Sequence, residues 1–348
     1  MIDPSTYNKE WIDGVAAQIV RKVDTKILEK VIYAFTLLEQ LKLAGMNFIF
    51  KGGTSLLLLS PKPRRFSIDI DIIVGYELVD IPSFLDRVVA LGSFTHWVED
   101  NDRRSSPAAP VAHYKLFYKS QIDSYFGQEP ILLDMLIGTN PYPVLTDAPI
   151  NHPWLRMHGE MVTVQVPVIE SILGDKLTAF APNTTGILYS KNRPMEMIKQ
   201  LFDVGFLFDE SKDFNIVRES YQKNVAAEIA YRGLAVSWED ALDDTYQTAL
   251  ILSRRESTHA NYPHLQKGVT NIVNFILDRF HLEDAIVCAS KAAYLSRILL
   301  SGSNEVRRYA GADEIKEWTI TADSKLNKLK KTNPEAFFYW YQITEHAK

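Results

Sequence analysis

Three aspartates and a pair of glycines carry the chemical possibilities of this sequence. In Ile68-Asp69-Ile70-Asp71-Ile72 the two acidic residues are separated by one isoleucine. Side chains alternate across a strand, so Asp69 and Asp71 would share one face while the isoleucines anchor the other. Two carboxylates on one patch repel each other unless a cation compensates, which makes a divalent metal the chemistry to consider. A strand with one solvated acidic face is the plain alternative. Asp134 is a lone charge inside Ile131-Leu132-Leu133-Asp134-Met135-Leu136-Ile137, where an unpartnered carboxylate is costly. If its strand lies beside the first, the three carboxylates would form the cluster that clamps two Mg²⁺ ions on attacking and leaving oxygens. The alternative is a buried aspartate capping a turn. Upstream, Phe48-Ile49-Phe50-Lys51 runs into Gly52-Gly53 and then Thr54-Ser55. Glycines let the backbone turn sharply and approach a ligand, and a helix opening behind them offers free N–H groups to phosphates. An ordinary strand-to-helix turn would read the same way.

These residues need a scaffold, and the apolar spacing supplies one. Residues 1–45 read as leading helices, with Ile27, Ile32, Phe35, Leu38 and Leu41 mostly three or four apart and Gly45 as a stop. Short strand-like runs follow at 47–51, 66–74, 94–97, 111–119, 130–137 and 161–166, with a helix over 82–91 between two of them. From Pro167 the spacing is helical, near 168–181, 194–209, 213–232, 238–254, 263–279, 283–300 and 334–346. The expected fold class is α+β. A mixed α/β domain would occupy 1–166, and an α-helical domain over 167–348 would close over it. At roughly 150 residues per domain, 348 residues suit two domains.

The combination of Gly52-Gly53, Asp69-x-Asp71 and a later apolar-flanked Asp134 resembles the signature of the DNA polymerase β-like nucleotidyltransferases. Lys51-Gly52-Gly53-Thr54-Ser55-Leu56 followed by Arg65-Phe66-Ser67-Ile68-Asp69-Ile70-Asp71 is similar, more specifically, to the AbiEii/AbiGii toxin family. Gly174-Asp175-Lys176-Leu177-Thr178-Ala179, then Arg193, then Lys199-Gln200-Leu201-Phe202-Asp203 fit that family too, with Gln200 in place of the usual first aspartate of the last motif. The resemblance covers residue 47 to about 209. It implies a polymerase β-like mixed sheet and an NTP-dependent transferase of toxin–antitoxin and abortive-infection systems. Asp69, Asp71 and Asp134 would hold Mg²⁺ (or Mn²⁺). Lys51, Gly52, Gly53, Thr54, Ser55, Ser67, Lys176, Arg193 and Lys199 would bind the nucleotide, and Asp203 would orient Lys176. It further implies an RNA acceptor, with the tRNA 3′ end in view, and a cognate antitoxin. By the residues alone, Lys176 is as readily a solvated lysine, and Lys199 with Asp203 an exposed i,i+4 pair.

Composition bounds the rest. Lys plus Arg is 38 against 43 Asp plus Glu, a net charge of −5, which argues against a polybasic partner mode though not against a local basic groove. One cysteine, Cys288, excludes an intrachain disulfide and favours a reducing compartment; mid-helix, it reads as core. The start, MIDPSTYNKEWIDG, has no signal-peptide pattern and no apolar run is long enough to span a bilayer, so a cytoplasmic protein is expected. His113, His152, His158 and His264 lack metal-ligand spacing, and neither a P-loop nor a GxSxG elbow occurs. The aromatics of 337–341 read as helix packing, and the basic run Lys325, Lys328, Lys330 and Lys331 as a solvated face or a nucleic-acid contact. A small-molecule or protein acceptor is a second enzymatic reading, and a non-catalytic nucleotide-binding partner a third.

Overall fold

The amino-terminal segment forms a 3-10 turn at Pro4–Tyr7 and two helices, α1 (Lys9–Gln18) and α2 (Thr25–Leu43), where the spacing predicts leading helices over 1–45. Asp24 starts α2 by accepting the Lys26 N–H at 2.9 Å, the usual satisfaction of a helix's first free donors. This is a computed structural model, and it describes residues 1–60, 62–77, 80–100, 110–122 and 127–346. The chain divides into two units, one of Met1–Asn140, Val144–Val168 and Asn274–Asp278, the other of Pro141–Pro143, Ile169–Val273 and Arg279–Lys348.

The first unit is built on a seven-stranded sheet. Its strands are β1 (Ile49–Lys51), β2 (Ile70–Val74), β3 (His96–Glu99), β4 (Val111–Lys119), β5 (Gln128–Ile137), β6 (Leu145–Pro149) and β7 (Thr163–Pro167), in the order β3-β4-β5-β2-β1-β7-β6. Helices α3 (Gly52–Leu59) and α4 (Ile81–Ala90) connect them. β2 runs parallel to β5 and β1 parallel to β7, and the remaining pairs are antiparallel. The mixed sheet with flanking helices is the α+β architecture that the spacing predicts. β6 is an addition: a short edge strand, Leu-Thr-Asp-Ala-Pro, paired on one side only, has no buried alternation to announce it.

One sheet face is the core. Phe50, Ile70, Ile72, Leu133, Met135 and Leu116 are buried there with Leu28, Ile32, Phe35 and Leu38 of α2. α2 is buried nearly all round, and most of its buried positions are apolar. Its one fully buried charge, Glu29, is satisfied by Ser120 Oγ at 2.7 Å and the Gln121 N–H at 2.6 Å, which ties the helix to the end of β4. Asn274–Asp278 differs from expectation. The spacing predicts helix over 263–279 within the helical domain, but Phe66 N–H donates to Phe275 O at 2.7 Å and Leu277 N–H to Arg64 O at 3.0 Å. Backbone pairing with the segment before β2 outweighs local helical spacing there.

The second unit is helical: α5 (Ile169–Ala179), α6 (Pro194–Glu210), α7 (Phe214–Arg232), α8 (Trp238–Arg254), α9 (Tyr262–Ile272), α10 (Leu282–Ser301), α11 (Leu329–Thr332) and α12 (Pro334–His346). A Cβ on Gly174 would fall 2.6 Å from Tyr221 N, so α5 and α7 approach more closely than any side chain allows. Lys291 of α10 is buried between Asp209 of α6 (2.7 Å) and Glu335 of α12 (2.8 Å). Phe337, Phe338, Tyr339 and Trp340 are buried packing residues. Among the described residues no helix is long and apolar enough to cross a membrane.

Candidate active site

Sheet register assembles the first group of candidate residues. Lys51 pairs with Asp71 across β1 and β2, Asp71 with Asp134 across β2 and β5, and Asp134 with His113 across β5 and β4. Directly opposed residues share a face and stand about 4.8 Å apart from strand to strand. Lys51, Asp71, Asp134 and His113 therefore form one row across four strands. The neighbouring row, Phe50, Ile72, Met135 and Ala112, points into the core, so the charged row lies on the opposite face. Asp134 keeps 22 % of its side-chain surface exposed and His113 13 %. His113 Nδ1 is 2.8 Å from Asp134 Oδ1.

The glycine turn packs against this row. Gly52 has φ +76°, which side-chain-bearing residues avoid, and a Cβ placed there would sit 2.1 Å from Asp71 Oδ2. The Asp71 carboxylate thus occupies the space that a side chain at 52 would need. At Gly53 a Cβ would fall 2.5 Å from Arg65 Nη2 and 2.8 Å from Ser67 Oγ, so a buried guanidinium and a hydroxyl lie over the second glycine. Arg65 is itself fixed by Nη1 donating to Phe66 O at 2.9 Å.

Helix α3 begins at Gly52, with Lys51 in the capping position and making no side-chain cap bond. The spacing places Thr54 and Ser55 at the helix opening, where their hydroxyls would cap. Instead Thr54 Oγ1 donates to Asp69 O at 2.6 Å and Ser55 Oγ to Gly52 O at 2.8 Å, and both residues are buried. Their side chains brace the turn against the segment before β2. What this helix start offers an anion is main-chain N–H groups and the positive end of its dipole.

The second group lies in the helical unit. Lys176 of α5 donates from Nζ to Gln200 Oε1 at 3.0 Å and is 3.1 Å from Asp203 Oδ2, both partners being on α6. Lys176 is 6 % exposed and Asp203 1 %. The solvated-lysine and exposed-pair alternatives both fail here, because Asp203 turns inward onto Lys176. Gln200 takes part as an acceptor, a role nothing in its spacing suggests. Asp175 accepts Tyr142 Oη at 2.6 Å. Arg193 is exposed at the start of α6 and Lys199 half-buried along it.

Residues 36–272 match the family model described as "Nucleotidyl transferase AbiEii toxin, Type IV TA system". The chain belongs to the AbiEii family. Comparison with curated proteins gives no match. The matched span of this AbiEii chain contains the whole sheet, the charged row, the glycine turn and the Lys176 pair. Membership makes it a nucleotidyltransferase-family toxin of the type IV toxin–antitoxin class, and implies a nucleotide substrate and an antitoxin partner.

Among the described residues no three His, Cys, Asp or Glu side chains are gathered as a ready metal cage. Magnesium is commonly held by one or two carboxylates completed by substrate phosphates and waters. Asp71 and Asp134, hard oxygen donors in adjacent register positions, fit that donor chemistry. Asp69 precedes β2, outside the ladder, with its carbonyl held by Thr54. Sequence reasoning named His113 but set it aside, because no spacing within Val111–Lys119 marks it. Its neighbour is decided by the β4–β5 register alone.

Proposed function

We propose that this chain is a Mg²⁺-dependent nucleotidyltransferase that moves an NMP from an NTP to a hydroxyl of an RNA, with the 3′ end of tRNA as acceptor. The observation that carries the reading is the row of Lys51, Asp71 and Asp134 with the Asp71 carboxylate seated over Gly52. The main-chain N–H groups of the first turn of α3 and Lys51 would take the triphosphate, with Ser67 and the adjacent Arg65 beside the glycine turn. Asp69, Asp71 and Asp134 are the residues proposed to hold Mg²⁺ or Mn²⁺, which supplies charge neutralisation at the phosphate oxygens. The acceptor oxygen bonds to the α-phosphorus as the bond to the bridging oxygen breaks, and pyrophosphate leaves with that electron pair. The acceptor's proton passes to Asp134. Catalysis of this kind is mostly positioning and electrostatics.

Lys176 is proposed as the second unit's cation for phosphate oxygens, held by Asp203 and Gln200, with Arg193 and Lys199 contributing further charge. A net charge of −5 means that an RNA acceptor would be held by a local basic groove rather than by the whole surface. A cognate antitoxin would restrain the enzyme in a cytoplasmic setting.

Incubation with each labelled NTP, Mg²⁺ and total RNA tests this reading. Label in tRNA is expected. Label in a small molecule or protein would replace the acceptor, and NTP binding without transfer to anything would overturn the enzymatic reading.

A further inference from the structure

We infer that His113 is a positioning residue for the transfer reaction, acting by fixing the carboxylate of Asp134; the inference rests on the role proposed above for Asp134. An ionised carboxylate only accepts hydrogen bonds, so in the tautomer that carries its proton on Nδ1, His113 donates to Asp134 Oδ1 across the 2.8 Å contact. Asp134 is flanked in register by a like charge, Asp71, on one side and by His113 on the other. Like charges on adjacent strands push each other apart. A donor on the far side holds Asp134 in one orientation against that repulsion.

The strand's own neighbours cannot do this. The nearest residues on the Asp134 face of β5 are Leu132 and Leu136, which have no side-chain donor. Nor does the sheet need the bond for its own cohesion. β4 and β5 are already joined by a continuous antiparallel ladder from Val111↔Leu136 to Lys119↔Gln128. The imidazole is half-buried rather than sealed in the core, on the same open face as the two carboxylates. Partners that orient a metal-binding or catalytic carboxylate typically change affinity or activity by about 10–100-fold when removed.

The test compares His113→Leu, which deletes the donor, with His113→Asn, whose side-chain amide restores an N–H near the position of Nδ1. Each full-length variant is assayed for kcat and KM with NTP. Mn²⁺ affinity is read separately by electron paramagnetic resonance in the presence of a non-transferable NTP analogue. His113→Leu is expected to lower kcat and weaken Mn²⁺ binding, each by about 10–100-fold, with KM for NTP nearly unchanged, and His113→Asn to recover most of both. Wild-type kcat and Mn²⁺ affinity in His113→Leu would overturn the inference. So would equal losses in the two variants, or a lowered melting temperature with both functional readouts intact. Asp134→Asn separates this from the underlying reading: full transfer in that variant removes the proposed role of Asp134 itself, whatever His113 does.

Discussion

The two units each set a lysine against a carboxylate, but they do so in opposite surroundings. In the sheet unit Lys51 and Asp71 stand in a row on an open face, continued by Asp134 and His113 with 22 % and 13 % of their side chains exposed. In the helical unit Lys176 and Asp203 are almost wholly enclosed, with Gln200 supplying a further acceptor. Part-buried charges on that face keep some of their hydration, so their arrangement should add less to folding than an enclosed pair and is within reach of a ligand. An enclosed pair has lost its water, and each member depends on the other. The same residue types should therefore report function in one unit and stability together with function in the other.

The largest effect should come from the open row. Asp71→Asn keeps the side-chain shape and removes the charge, and is expected to reduce transfer by about a hundred- to a thousandfold, as loss of preorganised electrostatics does. Its melting temperature should stay within a few degrees of the parent, because a like charge beside Asp134 has been removed. A large drop in melting temperature would assign Asp71 to the scaffold instead.

The enclosed pair should behave the other way. Asp203→Ala leaves the Lys176 ammonium buried beside only a neutral amide, and removal of one partner from such a pair typically costs about 3–5 kcal/mol. Urea unfolding would measure it. Replacing both residues by apolar side chains of similar size should return much of that loss while transfer stays impaired. If Asp203→Ala folds as well as the parent, the contrast between the units disappears.

Gly52→Ala sharpens the contrast at the boundary between backbone and site. The positive φ should cost about 1–2 kcal/mol, and the new Cβ must displace the Asp71 carboxylate, which it would meet at 2.1 Å. A loss of transfer well beyond the change in unfolding free energy is expected. Equal, small changes in both would mean that the carboxylate moves aside without consequence.

The effect expected only at acid pH concerns a histidine behind the sheet rather than on its face. His152 is buried beside Phe35 and Trp154, and burial holds its imidazole down at about 4. The unfolded chain takes up a proton near pH 6.5 while the folded one resists. Stability present above that pH should therefore fall as the pH drops toward 4, by at most about 1.4 kcal/mol per pH unit. His152→Phe should remove that component from a pH series of unfolding measurements, and an unchanged series would place the acid sensitivity elsewhere.

Much of this protein can be read from local pattern. Period-two spacing puts Asp71, within β2, on the side away from the core because strand geometry leaves no other choice there, whereas Asp69 lies just before the strand. The Gly52-Gly53 turn and the lone Asp134 are legible because a carboxylate in an apolar run and paired glycines both need a reason. The helices after Pro167 declare themselves by their spacing. Tertiary structure decided what these residues meet. Register between β2, β5 and β4 set Asp134 between Asp71 and His113, and no sequence separation encodes a register. Approach of α6 to α5 chose Asp203 and Gln200 as the partners of Lys176, although i,i+4 geometry pairs Asp203 with Lys199. Segment 274–278 left its helical pattern to pair with 64–66. Local propensities favour conformations by fractions of a kcal/mol per residue, whereas burial of backbone donors and charges is decided by several kcal/mol once distant segments meet.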